Sequence, residues 1–217
     1  MVTNNFNMII GISGVARSGK DTLANGFVEI FKKCGIKAKR YALADELKKE
    51  VKSFLVKNAG IDSFTQDDDD KKIIRPFLVS YGTHLRRKLN PDCWIEKLTQ
   101  NLKDDTISIV SDIRYDNEAE WILSQGGLLI HITRVNDGGY ILPANDEESM
   151  NDPILQKKAS VCFTWDTFGE TYKENLTDYC FAFFEACFNM EDIKKWQMTY
   201  PLSKKSNKTK TTPVSKK

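Results

Sequence analysis

Met8-Ile9-Ile10-Gly11-Ile12-Ser13 runs directly into Gly14-Val15-Ala16-Arg17-Ser18-Gly19-Lys20-Asp21-Thr22. The first six residues are a short apolar run that reads as a buried strand. The next nine match G-x-x-x-x-G-K with Asp-Thr after it. Leu23, Phe27, Phe31 and Cys34 then recur at helical spacing across residues 20–34. Strand, glycine-rich turn and helix in that order make a phosphate cradle. The glycines let the loop curl until several N–H groups face inward, and the helix start adds the positive end of its dipole. Lys20 brings a mobile charge to the β- and γ-phosphates of a nucleotide, and Thr22 can donate to the α-phosphate. Gly14, Ser18, Gly19, Lys20, Asp21 and Thr22 are therefore the expected nucleotide-holding residues, with Arg17 beside the moving phosphoryl. The usual loop has Ser or Thr where this chain has Asp21, and an acid there suits magnesium, directly or through water.

Working outward, strand-like and helix-like segments alternate. Residues 37–43 read as a strand, 45–57 as a helix, 60–70 as a loop with four consecutive aspartates, and 72–88 as a helix. Pro91 opens another helix running to about Leu102, with Asn90 as its cap. TISIVS at 106–111 is a strand, 117–125 a helix stopping at Gly126-Gly127, and LLIHIT at 128–133 a further strand. Residues 135–153 read as an acidic, irregular insertion, 160–164 as a fifth strand and 168–188 as a closing helix. The pattern predicts an α/β, three-layer P-loop fold: a central parallel sheet of about five strands with helices on both faces. We expect one domain over 1–202, with a helical acceptor-binding part at 44–104, a short acidic lid-like insertion at 135–155 and a disordered basic tail at 203–217.

Ligands in such folds sit at the carboxyl ends of the strands. Asp112 and Arg114, two apart after TISIVS, project from that edge on one side. A carboxylate there holds magnesium through water, and Arg114 can neutralise the transferring phosphoryl. On the helix over 72–88, Arg75, Val79, Gly82 and Arg86 recur at i, i+4, i+7 and i+11. Two arginines flanking a glycine can clamp a dianionic phosphate, whereas Arg87 lies about 100° further round. Trp94 is read either as core or as a platform for a base, Lys48 lies near the acceptor side, and Arg134 ends a strand near the adenine or the phosphates. His131, inside its strand, reads as a core histidine.

Of the 217 residues, 41% are hydrophobic and 29% charged, an ordinary globular balance. Removing the six lysines of 203–217 from the net +2 leaves a body at −4, which argues against a nucleic-acid binder. The five cysteines have no zinc-ligand spacing and read as reduced thiols. No basic signal-peptide start and no apolar run of membrane-spanning length are visible. The expectation is a cytoplasmic protein.

GVARSGKDTLA, KKIIRPFLVSYGTHLRRKLNPDCWIEKL, SIVSDIRYDNEAE and GGLLIHITR, in this order, resemble the deoxynucleoside monophosphate kinases of bacteriophages. The resemblance implies a nucleoside-monophosphate-kinase fold, ATP with Mg2+ as donor and a deoxynucleoside monophosphate (dNMP) as acceptor. It also implies that Ser18 to Thr22 hold ATP, that Arg75, Arg86 and Trp94 face the acceptor, and that Asp112 and Arg114 serve metal and phosphates. The alternatives are a kinase for another small phosphorylated acceptor, of phosphomevalonate or dephospho-coenzyme A type, and a non-catalytic nucleotide-binding module. The expected partner is the small-molecule substrate, with no membrane and no specific nucleic acid. Homodimerisation is left open.

Overall fold

The computed structural model describes residues 8–136, 139–166 and 172–202. The apolar run at the start becomes β1 (Ile9–Ser13), buried at every position. Burial on both faces is what a central strand of a parallel sheet requires. β1 pairs with β3 (Ile107–Ile113) on one side and β4 (Leu128–Asn136) on the other, with Ile10 opposite Ile109 and Leu128. β2 (Ala38–Tyr41) lies outside β3, and β6 (Val161–Asp166) outside β4. The parallel order is β2-β3-β1-β4-β6, and the two-residue β5 (Gly139–Tyr140) pairs antiparallel with the end of β4. The expected α/β three-layer fold with about five parallel strands is the fold observed.

Alternation along the strands divides the core in two. Ile10, Ile12, Ile109 and Ile130 face α1 (Lys20–Lys33), where Phe27 and Phe31 pack against Phe184 and Phe188 of the chain's C-terminal part. Ile9, Val110 and Leu129 face the other way, onto α2 (Leu43–Ala59), α4 (Cys93–Thr99) and α5 (Asp116–Ser124). A smaller cluster of Val51, Leu55, Ile61 and Ile74 joins α2 to α3 (Asp68–Val79).

Four segments differ from the reading of the sequence. The aspartate run is a helix start rather than a loop. Asp67 caps α3 by accepting from the N–H groups of Asp69 and Asp70, and the three acids after it occupy the first turn, where the dipole favours them. The helix expected over 72–88 is α only to Val79, and Ser80–Arg87 winds as a π-helix. Asn90 caps a turn rather than a helix: its side chain accepts from Asp92 N–H, and α4 begins at Cys93. The acidic stretch is not irregular, because β4 continues to Asn136 and α6 (Asp146–Lys158) follows β5.

Beyond α7 (Tyr172–Cys187), α8 (Met190–Thr199) was not foreseen. Asn189 and Asp192 form its capping box. The tail at 203–217 lies outside the described residues. The five cysteines are free thiols, and His131 is buried with its Nδ1 3.1 Å from Ser13 Oγ, as a core histidine should be. Among the described residues no helix is long and apolar enough to cross a membrane.

Candidate active site

The loop between β1 and α1 curls at Gly14 (φ 137°), Arg17 (φ 66°) and Gly19 (φ 94°). A Cβ on Gly14 would lie 2.3 Å from the Ile132 carbonyl oxygen, and one on Gly19 2.3 Å from the Trp165 ring, so both positions admit only glycine. Trp165 Nε1 donates to the Ser18 carbonyl at 2.7 Å and Arg134 Nη1 to the Arg17 carbonyl at 3.2 Å, fixing the loop from β6 and β4. Lys20 Nζ turns back onto the carbonyls of Gly14 (2.8 Å) and Val15 (2.7 Å). Burial and the nearby Arg114 charge pull its pKa down to about 8, against the opposing pull of Glu148, Asp112 and Asp21. Among the described residues the buried Ser18 Oγ has no hydrogen-bond partner. A cleft of about 490 Å³ opens over this loop, and its walls include Thr22, Asp21, Arg114 and Arg134.

The cleft floor holds a network that the sequence reading did not find. Asp21 Oδ1 accepts from Ser111 Oγ (2.6 Å) and from Arg40 Nε (3.1 Å) and Nη2 (2.7 Å). Burial works against the charged form of Asp21, but those hydrogen bonds and the Arg40 and Lys20 charges outweigh it and hold the pKa below the ordinary carboxylate value. Arg40 is the penultimate residue of β2, and nothing in its local sequence marks it. Asp112 has a structural task beside any catalytic one. Its two oxygens accept from Leu43 N–H (2.7 Å) and Ala44 N–H (2.8 Å), capping the start of α2. Burial is the larger effect there and raises its pKa to about 6, despite the two amides and Arg114.

Among the described residues no three His, Cys, Asp or Glu side chains gather as a metal cage. The donor set of Asp21 and Asp112 fits a magnesium ion held chiefly by nucleotide phosphates and water, with one or two carboxylates behind it.

A second cleft, of about 260 Å³, adjoins the first, and Asp112 and Arg114 line both. Its wall carries Arg75, Lys48, Gly82 and Trp94 from the expected set, together with Arg87, but not Arg86. Arg86 turns away to Glu50 (3.1 Å) and lies over the Trp94 ring. The π winding explains the exchange. A π turn takes more residues than an α turn, so over Ser80–Arg87 the winding lags, and Arg87 rather than Arg86 comes back to the face of Arg75. Arg87 stacks on Tyr115, 4.1 Å to the ring centre, and pairs with Glu118.

Glu118, 1% exposed, also accepts from the N–H groups of Arg114 (2.7 Å) and Tyr115 (3.0 Å). Of the two readings of Trp94 the structure takes the core one, and the room expected for a ligand at Gly82 receives a side chain. Trp94 is 2% exposed and donates to the Gly82 carbonyl at 3.4 Å, so it serves as core behind the pocket rather than as an open platform. The space at Gly82 admits Leu47, whose Cδ2 would lie 2.7 Å from an added Cβ. Lys48 lines the cleft with its ammonium over Phe64, 5.4 Å to the ring centre.

The first turn of α6 reaches both the second cleft, whose wall includes Glu147, and the phosphate loop. Glu147 Oε2 accepts from Tyr115 Oη at 3.0 Å, and Glu148 contacts the phosphate loop itself through Ala16 N–H at 3.1 Å. Neither acid was singled out in the sequence. The available signal was Asn145, which caps Glu148 N–H at 2.9 Å from three residues before it.

Three solved structures are similar in fold. Dephospho-CoA kinase from Campylobacter jejuni is 13% identical, with 82% of this chain and 96% of that chain covered and a TM-score of 0.38. Shikimate kinase from Aquifex aeolicus vf5 is 14% identical, with 83% and 98% covered and a TM-score of 0.41. A gluconokinase from Sinorhizobium meliloti 1021 is 10% identical, with 84% and 99% covered and a TM-score of 0.37. No curated protein sequence matches the chain. The family model of phosphomevalonate kinase matches residues 12–127, the phosphate loop through α5 and more than half of the 217 residues, and the chain belongs to that P-loop kinase family.

Proposed function

We propose that the protein transfers the γ-phosphoryl group of ATP to a deoxynucleoside monophosphate, giving the diphosphate. The observation that carries a two-substrate kinase is the pair of adjoining clefts. One is built on the phosphate loop and the other on Arg75 and Arg87, and Asp112 and Arg114 stand in both. A nucleotide-binding switch has no use for the second. The nucleoside monophosphate reading rests on the four quoted motifs. A phosphomevalonate acceptor is the second reading, and the family match favours it.

In this assignment the loop amides and Lys20 hold the β- and γ-phosphates, with Gly14, Ser18, Gly19 and Thr22 shaping the loop and Arg17 and Arg134 at its rim. Asp21, kept ionised by Arg40 and Ser111, and Asp112 would hold magnesium, which when bound neutralises charge between the phosphates. Arg75 and Arg87 fix the acceptor phosphate. An oxygen of that phosphate attacks the γ-phosphorus as the bond to the bridging oxygen breaks, and ADP leaves with the electron pair. Arg114 neutralises the moving group from between the clefts. No general base is needed, because the attacking oxygen is already ionised.

The test is ADP release against a panel of common dNMPs, NMPs and phosphomevalonate, with magnesium omitted as control and Lys20→Ala as the inactive reference. A dNMP-dependent rate that vanishes in Lys20→Ala is expected. A rate with phosphomevalonate alone would shift the assignment to the second reading, and no acceptor-dependent rate at all would defeat both.

A further inference from the structure

The phosphate loop already holds an anion, and it is the protein's own. Glu148 Oε2 accepts from Ala16 N–H at 3.1 Å and from Ala144 N–H at 3.0 Å, and Glu148 Oε1 accepts from Arg114 Nη1 at 2.5 Å. Its side chain is 9% exposed. Burial alone would favour the neutral acid. The Ala144 and Ala16 amides, Arg114 and Lys20 outweigh burial and hold the carboxylate charged, with its pKa below the ordinary value. A loop amide and an arginine between the clefts are the groups that would receive a donor's terminal phosphate. A single N–H cannot serve two anions at full strength, so the carboxylate and the phosphate exclude one another.

We propose that Glu148 is an internal stand-in for the terminal phosphate of the donor, and that ATP binds by displacing it. This rests on the kinase reading above. The displacement reaches the acceptor cleft, because Glu147, the preceding residue in the same helical turn, accepts from Tyr115 at that cleft's wall. α6 is held further along by Leu155, 2% exposed in the core, and by Lys158, 2.7 Å from Glu120 of α5, so its first turn can shift while the rest of the helix stays moored. A donor lacking the terminal phosphate leaves Glu148 in place, and the acceptor wall keeps its closed arrangement. Glu148 thus makes the site respond to a triphosphate and not merely to adenine or to a diphosphate.

Calorimetric titration of the full chain with Mg-ATP and Mg-ADP, comparing wild type with Glu148→Gln and Glu148→Asp, tests this. Loss of a charge-assisted contact that competes with the ligand should tighten ATP binding about tenfold in Glu148→Gln, with ADP changed less than about threefold. Glu148→Asp keeps the charge and draws it back by one methylene, so it should shift ATP affinity in the same direction. Circular dichroism of each variant confirms the fold, and if Glu148→Gln does not fold, Glu148→Asp decides. Unchanged or weaker ATP binding in the folded variants, or an equal gain for ADP, overturns the inference and leaves the kinase reading standing. Absence of ATP binding in wild type and variants alike removes both.

Discussion

Lys20 is a charge that the fold holds against its preference for water. It is 7% exposed and has two backbone carbonyls as partners, and its pKa falls from 10.5 to about 8. The unfolded chain keeps that proton up to about pH 10.5, whereas the folded chain releases it near 8. Between those values the unfolded state binds more protons, so stability rises with pH across the window. Below it, keeping the ammonium buried costs about 3 kcal/mol. The readout is the stability of wild type minus that of Lys20→Met, measured by urea unfolding from pH 7 to 10.5. The difference should climb by roughly that amount, and a flat difference would mean that the ammonium is not held in a desolvated place. Lys20 itself was legible from its loop, because glycine spacing is a local signal. Arg40 and Glu148 were not, since the partners that place them at the site, Asp21 for Arg40 and Ala16 for Glu148, lie 19 and 132 positions away in sequence.

At the scale of the element, the π segment decides which arginine serves the acceptor. A count at 3.6 residues per turn puts Arg86 on the face of Arg75, and the slower winding of the π turns puts Arg87 there. The local warning in the sequence is Pro76, four residues before the segment, which removes a backbone donor from α3. Nothing in Ser80–Arg87 itself separates π from α winding, because the choice depends on how Leu47, Glu50 and Glu118 receive it. Arg87→Lys is expected to raise the acceptor KM about tenfold or more, because it loses a planar fork held between Glu118 and Tyr115. Arg86→Lys, whose partners are Glu50 and the Trp94 ring, should leave KM within about twofold and instead lower stability by roughly 1 kcal/mol. Steady-state kinetics and urea melts on the two variants separate these roles. The reverse pattern would restore the α-helical register.

Over the whole molecule, the parallel sheet of about five strands and the placing of the loop followed from sequence because most strands carry their own apolar pattern. The closing of the chain did not, since it depends on contacts between its two ends. Tyr200 Oη accepts from Met8 N–H at 3.0 Å, and the Tyr200 carbonyl accepts from Lys37 N–H at 2.7 Å. Trp196, 8% exposed, packs edge-on against Phe31 of α1 and Phe188. α8 therefore braces the far end of the helix whose first residue is Lys20. That end of α1 is distant from the phosphate loop, so the brace should govern stability and not nucleotide affinity. Trp196→Ala is expected to cost roughly 3–5 kcal/mol in urea unfolding, the range for emptying an aromatic site in a core. ATP affinity, measured calorimetrically at 10 °C where the variant is still folded, should stay within about twofold of wild type. A matching fall in affinity would mean that α8 acts on the loop through α1, and the division of labour between the two ends of that helix would have to be abandoned.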